Sequence, residues 1–310
     1  MDFSVLNPVA IAVAIIIAAT PLLFAALGEL VVEKAGVLNL GVEGMMVVGA
    51  IGGFATALQT GSLVLAMLAG AAAGAALAAV FAIMTQYLLS NQVATGLALT
   101  MFGLGIAALV GQSFAGQTVQ VVARLDVPGL SDLPYVGPLL FAHDPMIYVS
   151  VLMVVAVWWF LTRTRRGLNL RAVGENHDAA HAIGYDVRLT RVAAILFGGA
   201  MAGVGGAYLS VIQTPLWVEG MTAGRGWIAL AIVVFATWRP GRALVGAYLF
   251  GGVTILQLNA QALGVPIQSQ YLSMTPYLIT IVVLVIISAD KAKARMNAPG
   301  SLGKPFFASS

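Results

Sequence analysis

The residues able to do chemistry in this chain are few, and the densest group of them lies between Thr162 and Arg191. Arg163, Arg165, Arg166, Arg171, Arg188 and Arg191 surround one short run, Asp178-Ala179-Ala180-His181-Ala182-Ile183-Gly184. Asn176 is placed to cap a helix whose first turn holds Asp178, with the acid near the positive end of the helix dipole. Gly184 can end that helix in a left-handed cap. Two turns of helix are unstable alone in water, so this one must pack on its own bundle or on a partner. Ala179, Ala180 and Ala182 would permit close approach. An ordinary capped loop helix has the same features, but a compact knob in a cationic loop is also a surface that a partner protein can grip.

A second group of polar residues interrupts the apolar pattern at two places. The first runs from Gly28 to Gly44 and holds Glu29, Glu33, Lys34, Gly36, Asn39, Gly41, Glu43 and Gly44. The second runs from Gln213 to Gly226 and holds Gln213, Thr214, Pro215, Trp217, Glu219, Gly220, Thr222, Gly224 and Arg225. After it comes an apolar run, 226–238, too short to cross a bilayer unaided. Non-helical backbone at membrane depth is tolerated only where it lines a cavity or is buried in protein. Paired interruptions in two halves mark the pathway of transporters built from inverted repeats. Glu43-Gly44-Met45 recurs as Glu219-Gly220-Met221, a three-residue echo that chance can also produce. Asn39, Glu43, Gln213, Trp217 and Glu219 are therefore the candidate pathway residues, whereas Glu29, Glu33 and Lys34 read as solvated loop charges.

Other chemistries lack their parts. There is no glycine-rich phosphate loop ending in Lys-Ser or Lys-Thr, so the chain does not hydrolyse ATP itself. Gly-x-Ser-x-Gly and His-Glu-x-x-His are missing, which leaves hydrolase and metalloprotease readings without a nucleophile or a zinc site. The three histidines show no ligand spacing and there is no cysteine, so no metal and no cofactor of its own is expected. A proton-driven carrier would bury acids or histidines within its helices, and a channel would want charge rings or a filter loop. The mid-span segments offer neither, so the energy source is expected to be external.

These residues must be held by membrane helices. Hydrophobic residues make up 60% of the 310 and charged ones 9%, against the roughly 25% charged that a water-soluble surface requires. Candidate spans of about 20 residues are 8–27, 36–58, 63–89, 92–111, 145–161, 192–212, 226–238, 243–260 and 272–288. The expected fold is an all-α polytopic membrane protein of about nine helices (eight to ten), with an inverted repeat. The N-terminal span reads as a retained helix, not a leader. Placing the 162–191 loop in the cytoplasm puts thirteen of the fifteen Lys/Arg there and leaves only Arg124 and Arg225 outside. The same choice puts the C-terminus inside. The basic balance serves this orientation; no aromatic-basic patch suggests nucleic acid. The 112–144 segment falls outside and, with Arg124, Asp126, Asp132 and Asp144, could form a docking cap. Small residues in 70–76 and 198–206 make smooth helices suited to close packing, and to sliding. Residues 1–290 form one transmembrane domain, and the Pro/Gly-bearing end, Met296 to Ser310 within 291–310, reads as a disordered tail.

The run from Asp178 to Gly184 resembles the Glu-Ala-Ala-x-x-x-Gly coupling motif of the membrane subunits, or permeases, of bacterial ABC importers, with Asp in place of Glu. The lead-in Leu170-Arg171-Ala172-Val173-Gly174-Glu175-Asn176 is similar to the branch serving nucleosides and simple sugars. So is Gly36-Val37-Leu38-Asn39-Leu40-Gly41-Val42-Glu43-Gly44-Met45-Met46, and the likeness runs from about residue 15 to 288. The resemblance implies a multi-pass protein of the bacterial cytoplasmic (inner) membrane. It implies a second and different permease, two cytoplasmic ATPases that bind the ATP, and an external binding protein or lipoprotein that delivers the solute, a nucleoside first of all. Glu175, Asn176, Asp178, Ala179, Ala180 and Gly184 would then sit in the ATPase groove. A simple-sugar importer of the same build is the nearest alternative; a proton-coupled carrier or a membrane enzyme would be of another class.

Overall fold

The computed structural model of the chain describes residues 7–120, 125, 131, 133–134, 136–263, 268–289 and 298–307. Helices dominate, and local sequence explains most of their starts. Asn7 caps α1 (Pro8–Lys34), with Pro8 at the first position, where its missing N–H costs nothing. After α2 (Val42–Thr60) come α3 (Leu63–Ala82), capped by Ser62, and α4 (Gln92–Gly111), capped by Asn91. A short α5 (Val136–Leu140) precedes α6 (Pro145–Arg163), whose cap is Asp144. Then follow α7 (Arg165–Glu175), α8 (His177–Ala182) and the long α9 (Val187–Tyr208), capped by Asp186. The chain ends with α10 (Arg225–Phe235), α11 (Pro240–Ala262), α12 (Ser269–Ser273) and α13 (Thr275–Ala289).

Seven of these are long and apolar enough to cross a bilayer: α1, α2, α3 with its π-turn to Tyr87, α4 with its last turn to Phe114, α6, α9 with its π-turn to Gln213, and α11. The shorter α10 and α13 stand where the seventh and ninth spans are expected. The architecture is that of a polytopic all-α membrane protein.

The centre is a glycine-lined seam. Gly49 of α2 and Gly70 and Gly74 of α3 lie against Gly199 and Gly203 of α9, where an added Cβ would overlap backbone atoms. In lipid, such backbone contact is what holds helices together. Paired positions along the seam show that α3 and α9 run in opposite directions, as do α2 and α3 (Gly49 near Gly70, Gly53 near Ala66). Likewise α1 opposes α9, with Gly28 near Gly198 and Gly205 near Pro21. The ends of α1 and α7 and the start of α9 therefore share one end of the bundle, here the loop end.

Two expectations change. α1 does not stop at residue 27 but runs on to Lys34, so Glu29 and Glu33 are buried helical residues (1% and 2% exposed), not solvated loop charges. The end of the chain is not disordered throughout: residues 298–307 are laid on the loop end, with Ser301 and Phe306 buried. The physical reason is that this stretch carries its own apolar anchor and hydrogen-bonding backbone, which its Pro/Gly content concealed. Residues 291–297 and 308–310, and Arg124, Asp126 and Asp132 of the 112–144 segment, lie outside the described residues.

Candidate functional site

The first interruption is short, 35–41, and several of its polar groups are met from another helix or from its own turn. Leu38 N–H donates to Gln92 Oε1 of α4 (2.8 Å), and Asn39 N–H to Glu29 Oε1 of α1 (3.3 Å). Asn39 Oδ1 accepts from Gly41 N–H (2.9 Å), while the Leu40 carbonyl accepts from Thr100 Oγ1 of α4 (3.0 Å). Gly36, at φ +83°, turns the chain away from α1 in the left-handed region. Glu33 Oε2 accepts from Trp238 Nε1 (2.6 Å), which ties the end of α1 to the end of α10. Buried carboxylates and amides thus replace the water that this backbone would otherwise need.

The second interruption, 214–224, is satisfied mostly by itself. Met221 N–H donates to the Val218 carbonyl, Ala223 N–H to Gly220 and Arg225 N–H to Thr222. Ties to distant parts of the chain lie near its two ends. Thr118 pairs with Leu216 beside Val119 N–H donating to the Pro215 carbonyl, and Tyr277 Oη donates to the Ala223 carbonyl (3.0 Å). Glu219 is exposed; Trp217 is buried against Gly111 at the end of α4.

The two interruptions meet at Glu43. This residue lies in the first turn of α2, 4% exposed, and its carboxylate spans the start of α10: Oε1 accepts from Gly224 N–H (2.9 Å), Oε2 from Gly226 N–H (2.6 Å). Two helix N-termini converge on one carboxylate, the charge that their dipoles favour. The 11 residues of α10 then lead to Trp238 at the loop end. At 1.5 Å per residue that is about 16 Å, roughly half of a 30 Å hydrocarbon core. The geometry is inverted: α1 reaches the loop end and α2 leaves mid-depth for the far end, whereas α9 reaches the far end and α10 leaves mid-depth for the loop end. Three buried polar atoms around these breaks, Glu29 Oε2, Gln213 Oε1 and Thr222 Oγ1, have no hydrogen-bond partner among the described residues.

At the loop end, α8 is the capped knob. Asn176 Oδ1 accepts from Ala179 N–H (3.0 Å), and Gly184, at φ +91°, closes the helix with its N–H on the His181 carbonyl (2.9 Å). Glu175, Asn176, Asp178, Ala179 and Gly184 are exposed. Ala180 is not: it is 2% exposed, packed with Val173, Val187 and Phe306, so it seats the knob and cannot offer a surface to a partner.

Sequence patterning also missed the joint beneath the knob. Arg191 is fully buried and forms no salt bridge among the described residues. Its Nε donates to the Ala35 carbonyl (3.2 Å), Nη1 to the Lys304 carbonyl (3.0 Å), and Nη2 to His177 Nδ1 (3.1 Å). A guanidinium has no acceptor, so His177 must be the Nε2–H tautomer, and that Nε2 lies 3.5 Å from Asp178 Oδ1. Burial, helped by Arg191, holds the His177 imidazole below its ordinary pKa, with Asp178 opposing. The path Asp178, His177, Arg191, Ala35 runs from the knob's surface to the start of the first break. An arginine next to the apolar run that begins at Val192, with no acid three or four residues away, was the available signal.

Of the pathway candidates, then, Asn39 and Glu43 sit in one buried network, and Gln213 borders the second break with an open amide oxygen. Trp217 anchors that break to α4. The echo of Glu43 in Glu219 has no counterpart in position, since one is buried between helices and the other exposed.

The family described as branched-chain amino acid transport system / permease component matches residues 11–287. A "Putative glucose ABC transporter permease protein" of Haloferax volcanii is 43% identical, over 92% of this chain and 93% of that protein. A nucleoside ABC transporter permease protein of Lactococcus lactis is 33% identical over 91% and 94%, and a guanosine ABC transporter permease protein of Bacillus subtilis 31% over 95% of each.

Proposed function

We propose, from the premise that this chain belongs to the permease-component family of branched-chain amino acid transport systems, that it is the membrane-spanning subunit of an ABC importer for a small polar solute. It lies in the bacterial cytoplasmic membrane with the loop end and the C-terminus inside, the orientation favoured by its arginines. Two ATPase subunits bind ATP and grip α8 through Glu175, Asn176, Asp178, Ala179 and Gly184. A second, different permease completes the pathway, and an external binding protein or lipoprotein delivers the solute. The observation that carries this reading is the meeting of two inverted breaks at Glu43, at mid-depth, joined by buried hydrogen bonds to the knob at the loop end. Opening the route means parting the N-terminus of α10 from Glu43, and the unpartnered oxygens of Gln213 and Thr222 are then available to water or to solute hydroxyls.

Nucleosides are the first solute class, from the names of two relatives. Glucose is the second, favoured by the relative that is 43% identical. Both carry a ring of hydroxyls, which suits unpaired hydrogen-bonding side chains better than charged ones. The test is uptake of labelled guanosine and labelled glucose by vesicles holding the permease with the other subunits of its own transporter. ATP-dependent uptake of one of them, lowered at least tenfold in Glu43→Gln while assembly persists, is the expected result. Uptake driven by a pH gradient with no ATPase present would overturn the proposal.

A further inference from the structure

The segment 298–307 is assigned no role by the reading above, yet it is built into the loop end more firmly than α8 itself. Ser301 N–H donates to the Gly174 carbonyl (2.9 Å), and Ser301 Oγ accepts from His177 N–H (3.2 Å), one of the unsatisfied donors at the start of α8. Gly303 N–H donates to the Gly36 carbonyl (3.2 Å), inside the first break, and the Lys304 carbonyl accepts from Arg191. Phe306, 4% exposed, meets His177 and His181 edge-on, with ring centroids 5.5 and 5.2 Å apart. The segment therefore follows α8 and the first break as one body.

What this body presents outward is unusual for a water-facing end. Ile183, just past α8, is 70% exposed, and Phe307, next to the buried Phe306, is 65% exposed. Asp178, His181 and Lys304 around them are exposed as well. Large apolar side chains set among polar ones at such an end mark an interaction surface. We propose that residues 298–307 form the second half of the docking surface for the ATP-hydrolysing partner, with Phe307 and Ile183 as its two apolar anchors. The occupant is indicated by continuity: Phe306 joins the segment to the helix that the partner grips, so a groove wide enough for α8 abuts Phe307 too. Complementarity asks of that partner an apolar cleft with an acidic rim toward Lys304. The inference rests on α8 being the partner's handle, and its test separates the two ideas.

Phe307→Asp and Ile183→Asp are made in N-terminally tagged permease co-expressed with its own transporter's ATPase subunits; both sites are exposed, and Phe307→Tyr serves as the conservative control. Retention of the ATPase subunits and ATP-driven uptake are read together. A fall of at least fivefold in both readouts for each Asp variant, with Phe307→Tyr near wild type, is expected. If Ile183→Asp loses the ATPase subunits and Phe307→Asp keeps them, the segment is no docking element and the α8 reading stands. Loss in Phe307→Asp alone removes Ile183 as an anchor and α8 as the handle, which overturns the proposal as well as the α8 reading; loss in neither overturns both. Reduced uptake with full retention in Phe307→Asp would mean that this side chain anchors in the bilayer, which also overturns the proposal.

Discussion

The two breaks solve one problem in different ways. Leu38, Asn39 and Leu40 are satisfied by side chains from α1 and α4, so the first break cannot move without those helices. The second break folds on itself through Val218, Gly220 and Thr222, leaves Glu219 and Gly220 exposed, and is tied to the rest of the molecule near its two ends, by Thr118, Val119 and the Trp217 ring at one and by Tyr277 and Glu43 at the other. One is a joint fastened along its length; the other is a flap fastened at its two ends, with an exposed middle. In an inverted pair this difference has a direction, because the fastened joint lies under the knob, where force would enter. The flap lies toward the far end, where solute would arrive.

The largest effect should come from Glu43, which serves both breaks. Glu43→Ala leaves the Gly224 and Gly226 N–H groups without acceptors, at about 1–3 kcal/mol for each buried donor. Thermal unfolding in detergent should show a marked loss, and uptake should vanish. Asn39→Ala comes next: it removes the turn that accepts from Gly41 N–H, at about 1–2 kcal/mol, and should lower uptake severalfold. If Asn39→Ala proves as mild as a surface change, the first break is not the fastened one.

A smaller effect, in pH, sharpens the link from knob to joint. Because the pKa of folded His177 is depressed, the folded state resists taking the proton. The Arg191–His177 contact is therefore intact above the ordinary imidazole value of about 6.5 and lost as pH falls through the lower, folded one. ATP-driven uptake should fall on acidification through that window, and His177→Gln, whose amide oxygen accepts without titrating, should flatten the decline. The smallest effect belongs to Glu219→Ala on the exposed flap, within about 0.5 kcal/mol in stability and near wild type in uptake. A large loss there would erase the distinction between the breaks.

Much of this was legible in the sequence, where local chemistry decides. The spans follow hydropathy, α8 has its Asn176 and Gly184 caps, and the second interruption falls where polar residues and a short apolar run put it, while the first is shorter than its polar residues suggested. What escaped was set by distant partners. Glu29 and Glu33 read as loop charges because the groups that receive them, the Asn39 N–H and the Trp238 indole, are brought near only by the fold. Ala180 looked like its neighbour Ala179, and only docking of α8 on Val173 and Phe306 tells them apart. Composition made the C-terminus look disordered, although Ser301, Phe306 and the backbone of Gly303 and Lys304 seat it.

The central claim is that the meeting point of the breaks opens and closes under force applied at α8. The chain contains no cysteine, so Thr222→Cys places a single thiol at a fully buried position beside Glu43's partners. Its reaction with a membrane-impermeant maleimide can be followed in vesicles holding the whole transporter, at rest and trapped with ATP and vanadate. The account predicts protection in one state and rapid labelling from one face in the other. Equal labelling in both states, or none in either, would contradict it.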